Sequence, residues 1–293
     1  MVIVYSPRCL DYAAASHPES PERVRAAVAQ LHKEFHTWLT PTACTDDDIL
    51  RVHTGEVLDA VRHGNFSDAD TPFFPEIFEI AKLSAGAAIL AAEQALAGQP
   101  AFSLMRPPGH HAERNRIMGF CYFNNLAIAV ARIFHSSPQI RRIAILDFDC
   151  HHGNGTEDIF RNDERVLFVS LHQSPCYPGT GLTSQGNCLN CPLPPGTPPE
   201  PFLAALDEGF ARIRGFRPDL LAVSAGFDSY KNDPITHMDL EVETFYEIGH
   251  RLTDFTQAPP QPPALPCFAV LEGGYSREFA RCVESFVAGW ERH

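Results

Sequence analysis

Positive charge is scarce in this sequence: 23 Lys and Arg stand against 36 Asp and Glu, a net charge of −13 with His neutral. A surface so short of basic side chains lacks the footprint that phosphate backbones and anionic membranes require, so no nucleic-acid or membrane partner is expected and cationic or neutral partners are favoured. No apolar run approaches the roughly 18 uninterrupted residues of a membrane span. The opening Met1-Val2-Ile3-Val4-Tyr5 has neither a basic start nor a small-residue cleavage site, and reads as a strand, not a signal peptide. Internal repeats and charge blocks are missing as well. The nine cysteines are odd in number and scattered, which excludes a disulfide framework and suits reduced thiols in a cytoplasmic setting. The one close pair, Cys188 and Cys191, lacks two further nearby ligands and reads as ordinary loop cysteines.

What is present suffices for a large core, with 44% of the 293 residues hydrophobic and 20% charged. Short β-branched or apolar runs predict strands at Val2 to Tyr5, Ala101 to Met105, Ile143 to Phe148, Val166 to Ser170, Leu220 to Ser224 and Cys267 to Leu271. Helical patterns lie between them. Ser20-Pro21-Glu22 places a cap and a first-turn proline before Val24, Ala27, Val28 and Leu31, which share one helical face. Further helices are predicted at Pro75 to Ala97 (stopped by Gly98), Asn124 to Phe134, Pro201 to Arg214 (stopped by Gly215), Glu241 to Phe255 and Ser276 to Trp290. Strands alternating with helices predict an α/β protein with a mainly parallel sheet covered on both faces. The proline-rich segments Cys191 to Pro201 and Ala258 to Pro266 read as surface loops of one domain spanning residues 1–293, because the same pattern continues on both sides.

Ligands of an open parallel sheet bind beyond the carboxyl ends of its strands, so the residues just after each run are informative. Arg106-Pro107-Pro108-Gly109-His110-His111 comes after one strand and Asp147-Phe148-Asp149-Cys150-His151-His152-Gly153-Asn154-Gly155 after another. Ala225-Gly226-Phe227-Asp228 and Glu272-Gly273-Gly274-Tyr275 come after two more. Asp149 and His151, two apart, leave an extended backbone on the same face. With Asp228 they make a three-ligand oxygen and nitrogen set of the kind that holds catalytic zinc with one position open. Taken singly, each motif has a plain reading as capping or solvated residues. Four at strand ends do not.

These residues resemble the histone deacetylase family of zinc-dependent lysine deacylases, which includes bacterial deacetylase-like proteins and acetylpolyamine amidohydrolases. The likeness runs through His17-Pro18-Glu19 and Pro21-Glu22-Arg23, Arg106 to His111, Gly119 to Asn125, Asp147 to Thr156, Ser170-Leu171-His172, Tyr177 to Gly181, Ser224 to Asp228 and Leu271 to Tyr275. It implies the arginase/deacetylase α/β fold. Asn154 together with Glu272 looks like the class II branch.

The resemblance implies roles. Asp149, His151 and Asp228 would hold one zinc that polarises the acyl amide and acidifies a water. His111 would be the general base and later protonate the leaving amine, with His110 as its electrostatic partner oriented by Asp147 and with Asn154 contacting His111. Tyr275 would donate to the developing oxyanion. Gly119, Phe120 and Tyr177 would wall a narrow acyl-lysine channel, Asp70 would fix the substrate backbone at the rim, and Arg23 would lie near the inner end. Potassium or sodium is expected at Asp147, Asp149, His151, Ser170 and Leu171, and at a second site formed by the carbonyls of Phe160, Asp163 and Val166. Ile235 stands where polyamine-specific relatives carry an acid, which favours acyl-lysine over acetylpolyamine as substrate. An arginase-like two-manganese ureohydrolase and a silent acyl-lysine binder are the alternatives. Thr37 to Asp48 and Gln185 to Pro201 read as loops, candidates for shaping the rim but with no assigned role.

Overall fold

The computed structural model describes residues 1–257 and 264–291. In chain order its main elements are β1 (Val2–Val4), α1 (Pro21–Leu31), β2 (Thr37–Leu39), α2 (Asp46–Leu50), α3 (Gly55–His63), α4 (Ile77–Leu96), β3 (Ala101–Ser103) and α5 (Asn125–Ser136). They continue with β4 (Ile143–Asp147), α6 (Asn154–Phe160), β5 (Val166–Gln173), β6 (Cys188–Leu193), α7 (Pro199–Phe216), β7 (Leu220–Ala225), α8 (Val242–Gln257), β8 (Cys267–Leu271) and α9 (Phe279–Trp290). The strands form one sheet in the order β2-β1-β3-β8-β7-β4-β5-β6, with every neighbouring pair parallel. The six predicted strands are all present. They are buried along their length, as a sheet covered on both faces demands. Helix α4 packs on α5, whereas α9 packs on α1 and α8 and meets β3 through Phe102 against Phe286.

Local chemistry explains the boundaries. Pro21 opens α1, whose buried residues are Arg23, Val24, Ala27 and Leu31. The Asn124 side chain caps α5 by accepting the N–H of Ala127 at 3.0 Å. Helix α4 ends at Leu96, before Gly98 at φ +84°. Helix α7 does not stop at Gly215; it runs on to Phe216 and is closed by Arg217, a non-glycine in the left-handed region at φ +56°.

Two expected loops are corrected. The segment from Thr37 to Asp48 carries the edge strand β2 and the start of α2, and that from Gln185 to Pro201 carries β6, the opposite edge. Cys188 and Cys191 are therefore strand residues. Three apart, they point to opposite faces, Cys188 buried and Cys191 half-buried, so they do not converge on a metal or on each other. Of the loop expected from Ala258 to Pro266, residues 258–263 lie outside the described residues.

Candidate active site

Strands β3, β8, β7 and β4 are consecutive in the sheet and end level. Register pairs Ser103 with Val270, Ala225 with Leu271, and Asp147 with Ser224. The four segments singled out in the sequence therefore leave the same edge of the sheet side by side, and the side chains they carry meet.

Asp149, His151 and Asp228 are buried, and each offers a ligand atom within 4.8 Å of the others. Nδ1 of His151 stands 2.8 Å from Oδ2 of Asp228 and 3.2 Å from Oδ1 of Asp149. Backbone amides engage the carboxylates from outside: Gly273 N–H donates to Oδ2 of Asp149 (2.7 Å), His151 N–H to its Oδ1 (2.9 Å), and Cys150 N–H to Oδ1 of Asp228 (2.8 Å). Gly273 has to lack a side chain, because a Cβ there would lie 2.5 Å from Asp228 Oδ2 and 2.6 Å from Asp149 Oδ2. Burial and the neighbouring Asp149 push the Asp228 carboxyl above its ordinary range. For Asp149, burial acts in the same upward direction, but His110 and His151 outweigh it and hold the carboxyl low. Two buried acids facing each other call for a cation, and two carboxylates with an imidazole fit a divalent ion such as zinc.

His110 and His111 stack tilted with ring centroids 4.0 Å apart and are held differently. Nδ1–H of His110 donates to Oδ2 of Asp147 at 3.0 Å, and its Nε2 lies 3.7 Å from Asp149. Burial opposes its charge, yet Asp149 and Asp147 prevail and raise His110 to about 10. His111 instead meets a neutral partner, Oδ1 of Asn154, at 2.7 Å. Burial, then the neighbouring His110 and His151, drive His111 well below the ordinary imidazole range. Glu272 splints the pair from behind, accepting the N–H groups of Gly109 (2.7 Å) and His110 (3.1 Å).

A cavity of about 310 Å³ opens onto this cluster. His110, His111, His151 and Tyr275 line it together with Gly119, Phe120, Tyr177, Ile235 and Asp70. Gly119 and Phe120 both have positive φ (+60° and +68°), and a Cβ on Gly119 would strike the His111 ring at 2.5 Å. Phe120 stands edge-on to Tyr275 (5.7 Å), and Tyr177, 40% exposed, edge-on to His111 (5.2 Å). Burial raises the Tyr275 hydroxyl well above the ordinary phenol range, so it stays protonated. Arg23 is outside the cavity. It lies under the Tyr275 ring, 4.6 Å from its centroid, and donates to the carbonyls of Gly274 (2.6 Å) and Glu272 (2.8 Å). Its remaining nitrogen donates to Glu19, which also binds the fully buried Arg106.

The sequence assigned no role to His17, Pro18 or Pro108, although all three line the cavity. His17 accepts the N–H of Glu19 on Nδ1 and donates from Nε2 to the carbonyl of Asp70, tying two rim segments together. Thr71 makes a second tie, accepting the N–H of Phe120 (2.9 Å) and donating to Asp68 (2.7 Å). The motif His17-Pro18-Glu19 was the available signal. No residue of Thr37 to Asp48 or Gln185 to Pro201 lines the cavity, because those segments lie toward the two edges of the sheet.

At the first expected monovalent site, Asp147, Asp149, His151, Ser170 and Leu171 are buried neighbours, with Asp147 paired to Ser170 across β4 and β5. At the second, the carbonyls of Phe160, Asp163 and Val166 do converge, but on the side-chain nitrogen of Asn187.

The histone deacetylase domain profile matches residues 17–290. A probable deacetylase of Methanothermobacter thermautotrophicus is 41% identical over 95% of this chain and 86% of its own. Among solved structures, the HDA15 HD domain superposes with a TM-score of 0.88 at 29% identity, covering 98% of this chain and 87% of that one. An acetylpolyamine aminohydrolase from Burkholderia pseudomallei superposes with a TM-score of 0.85 at 27% identity, covering 99% and 98%. With the fold, a candidate metal-binding triad and the paired histidines already in place, these matches establish that the chain belongs to the histone deacetylase family of deacetylases and amidohydrolases.

Proposed function

We propose that residues 1–293 form one catalytic unit, a zinc-dependent deacylase that removes acetyl or another short acyl group from the ε-amine of lysine in a protein, peptide or small molecule. The observation that carries this reading is an aromatic-walled cavity lined by His151 of a triad able to hold a metal, by two histidines of opposite protonation tendency and by a protonated tyrosine. Asp149, His151 and Asp228 would hold the zinc, which supplies Lewis acidity toward the amide carbonyl and toward water. His111, neutral and with Nδ1–H committed to Asn154, presents Nε2 as the base that takes the water's proton and returns it to the departing amine. His110, held charged by Asp147, stabilises negative charge beside it. Tyr275 donates its phenolic hydrogen to the carbonyl oxygen as charge develops there. Phe120 and Tyr177 flank the methylene stem, Gly119 leaves it room, and Asp70 at the mouth accepts from the substrate backbone. Asp147, Asp149, His151, Ser170 and Leu171 remain the proposed seat of a potassium or sodium ion. The nine cysteines, none in a disulfide, support a reducing, cytoplasmic setting. Among the described residues no helix is long and apolar enough to cross a membrane.

The second reading is an acetylpolyamine amidohydrolase, favoured by the structural likeness to one and by the net charge of −13. Ile235 argues for lysine, since it places no charge in the cavity wall for a distal ammonium. Assaying the zinc-loaded chain on a panel of acyl-lysine peptides and acetylated polyamines decides between them. Turnover of the peptides, lost on chelation and restored by zinc, is expected; no turnover of any acylated amine by protein holding one zinc per chain would overturn the proposal. Two manganese ions per chain by elemental analysis would point instead to a ureohydrolase.

A further inference from the structure

The carbonyl oxygens of Phe160, Asp163 and Val166 surround one atom of this chain. Nδ2 of Asn187 lies 2.8 Å from the first, 3.2 Å from the second and 3.0 Å from the third. The carboxamide is oriented by its other end, because Oδ1 accepts the N–H of Asn162 at 2.8 Å and so has to be the oxygen. Two N–H bonds are thus shared among three acceptors. The carbonyls belong to the tight connection between α6 and β5, in which Asp163 N–H donates to Phe160 O and Val166 N–H to Asp163 O, with Asn162 at φ +68°. Asn187 immediately precedes β6, which pairs with β5.

Three carbonyl dipoles aimed at one point make a site for positive charge, and this is where the family resemblance puts a second monovalent cation. The Asn187 nitrogen already occupies the point on which the three oxygens converge, so an ion could take that point only by displacing it. The residues present therefore do not fit the ion, whereas the partial positive charge of an amide NH2 fits the carbonyls. We propose that Asn187 takes the place of the second monovalent cation in this chain, so that the end of α6 is pinned to β6 by a side chain instead of by a dissociable ion. The pin bears on the active site from a distance, since α6 begins at Asn154, the partner of His111. Monovalent-ion dependence would then arise at the first site alone.

Asn187→Gly tests this by removing the amide and leaving the three carbonyls. Thermal midpoints of the wild type and the variant are compared in KCl and in choline chloride at equal ionic strength. Potassium should stabilise the variant by roughly 3 °C or more beyond any effect it has on the wild type, because the emptied cage now binds the ion. Equal potassium responses would overturn the proposal. If the variant does not fold, the wild type decides alone. In crystals grown in RbCl, anomalous density among the Phe160, Asp163 and Val166 carbonyls would overturn the proposal, and its absence there while the first site scatters would support it.

Discussion

Oδ1 of Asn154 accepts the Nδ1 hydrogen of His111 at 2.7 Å, and the same carboxamide donates to Oε1 of Glu113 at 2.8 Å. The second bond fixes which end of Asn154 faces the imidazole, so the histidine carries its proton on Nδ1 and keeps Nε2 free toward the cavity. Asn154→Asp replaces the neutral acceptor by an anion, favours the imidazolium and raises the His111 pKa. Because the base has to be unprotonated, the acid limb of the kcat/KM profile should move to higher pH. Steady-state rates across pH on an acetyl-lysine peptide check this; an unmoved acid limb would show that another group sets it.

Tyr275→Phe removes the phenolic donor while keeping the ring against Phe120 and over Arg23. Loss of one oxyanion donor typically costs about 10²–10³ in kcat with little change in KM. Zinc content should remain at one per chain. A variant that keeps full turnover would remove Tyr275 from the chemistry.

Asp233 is a buried carboxylate that accepts two backbone N–H groups, from Ile235 (3.1 Å) and from Tyr275 (2.7 Å), and both residues line the cavity. Asn in its place has one oxygen for two donors and turns an NH2 toward the other. Asp233→Asn should lower kcat about tenfold or more through a misplaced Tyr275, and should alter the preference among acyl lengths through Ile235. Parallel kinetics on acetyl, propionyl and butyryl lysine peptides read both effects. A uniform loss that tracks only the fraction folded would make the role structural.

Burial would raise the Glu157 carboxyl, but hydrogen bonds from His152 (3.0 Å) and Asn190 (2.8 Å) prevail and hold it at about 2. An acid whose pKa falls on folding contributes stability that is complete above its ordinary pKa near 4.5 and lost as pH drops through about 2. Glu157→Gln should therefore cost about 1–3 kcal/mol at neutral pH and progressively less in acid. Urea melts of both proteins from pH 7 to pH 3 measure the convergence. His152 also bonds Thr180, so the segment holding Tyr177 should loosen along with it.

The parts of the fold that the sequence made legible are those where one element carries its own signal. Buried strands such as Ile143 to Asp147 are continuous apolar runs, and the chemistry sits directly after them. Short elements escaped. Helix α3 has Thr54 as its cap, Val57, Leu58 and Val61 inward and Gly64 beyond its end, but nine residues give the period too little length to stand out. Strand β6 contains Pro192, which reads as a loop and is tolerated because the strand lies at the sheet edge. The ties from His17 to Asp70 and from Asn187 to Phe160 span 53 and 27 residues. Such pairings depend on how the loops are brought together, so no local pattern announces them.

Strand β8 is synthesised last of the eight, yet it lies between β3 and β7 in the middle of the sheet. Until it arrives the sheet cannot be continuous, and β3 and β7 each present a bare hydrogen-bonding edge that invites mispairing. From residue 228 onward the nascent chain thus carries both acids together with His110, His111 and His151, before the strand that joins the two halves of its sheet has been made. Insertion of a single central strand closes the sheet and delivers Tyr275 in the same event.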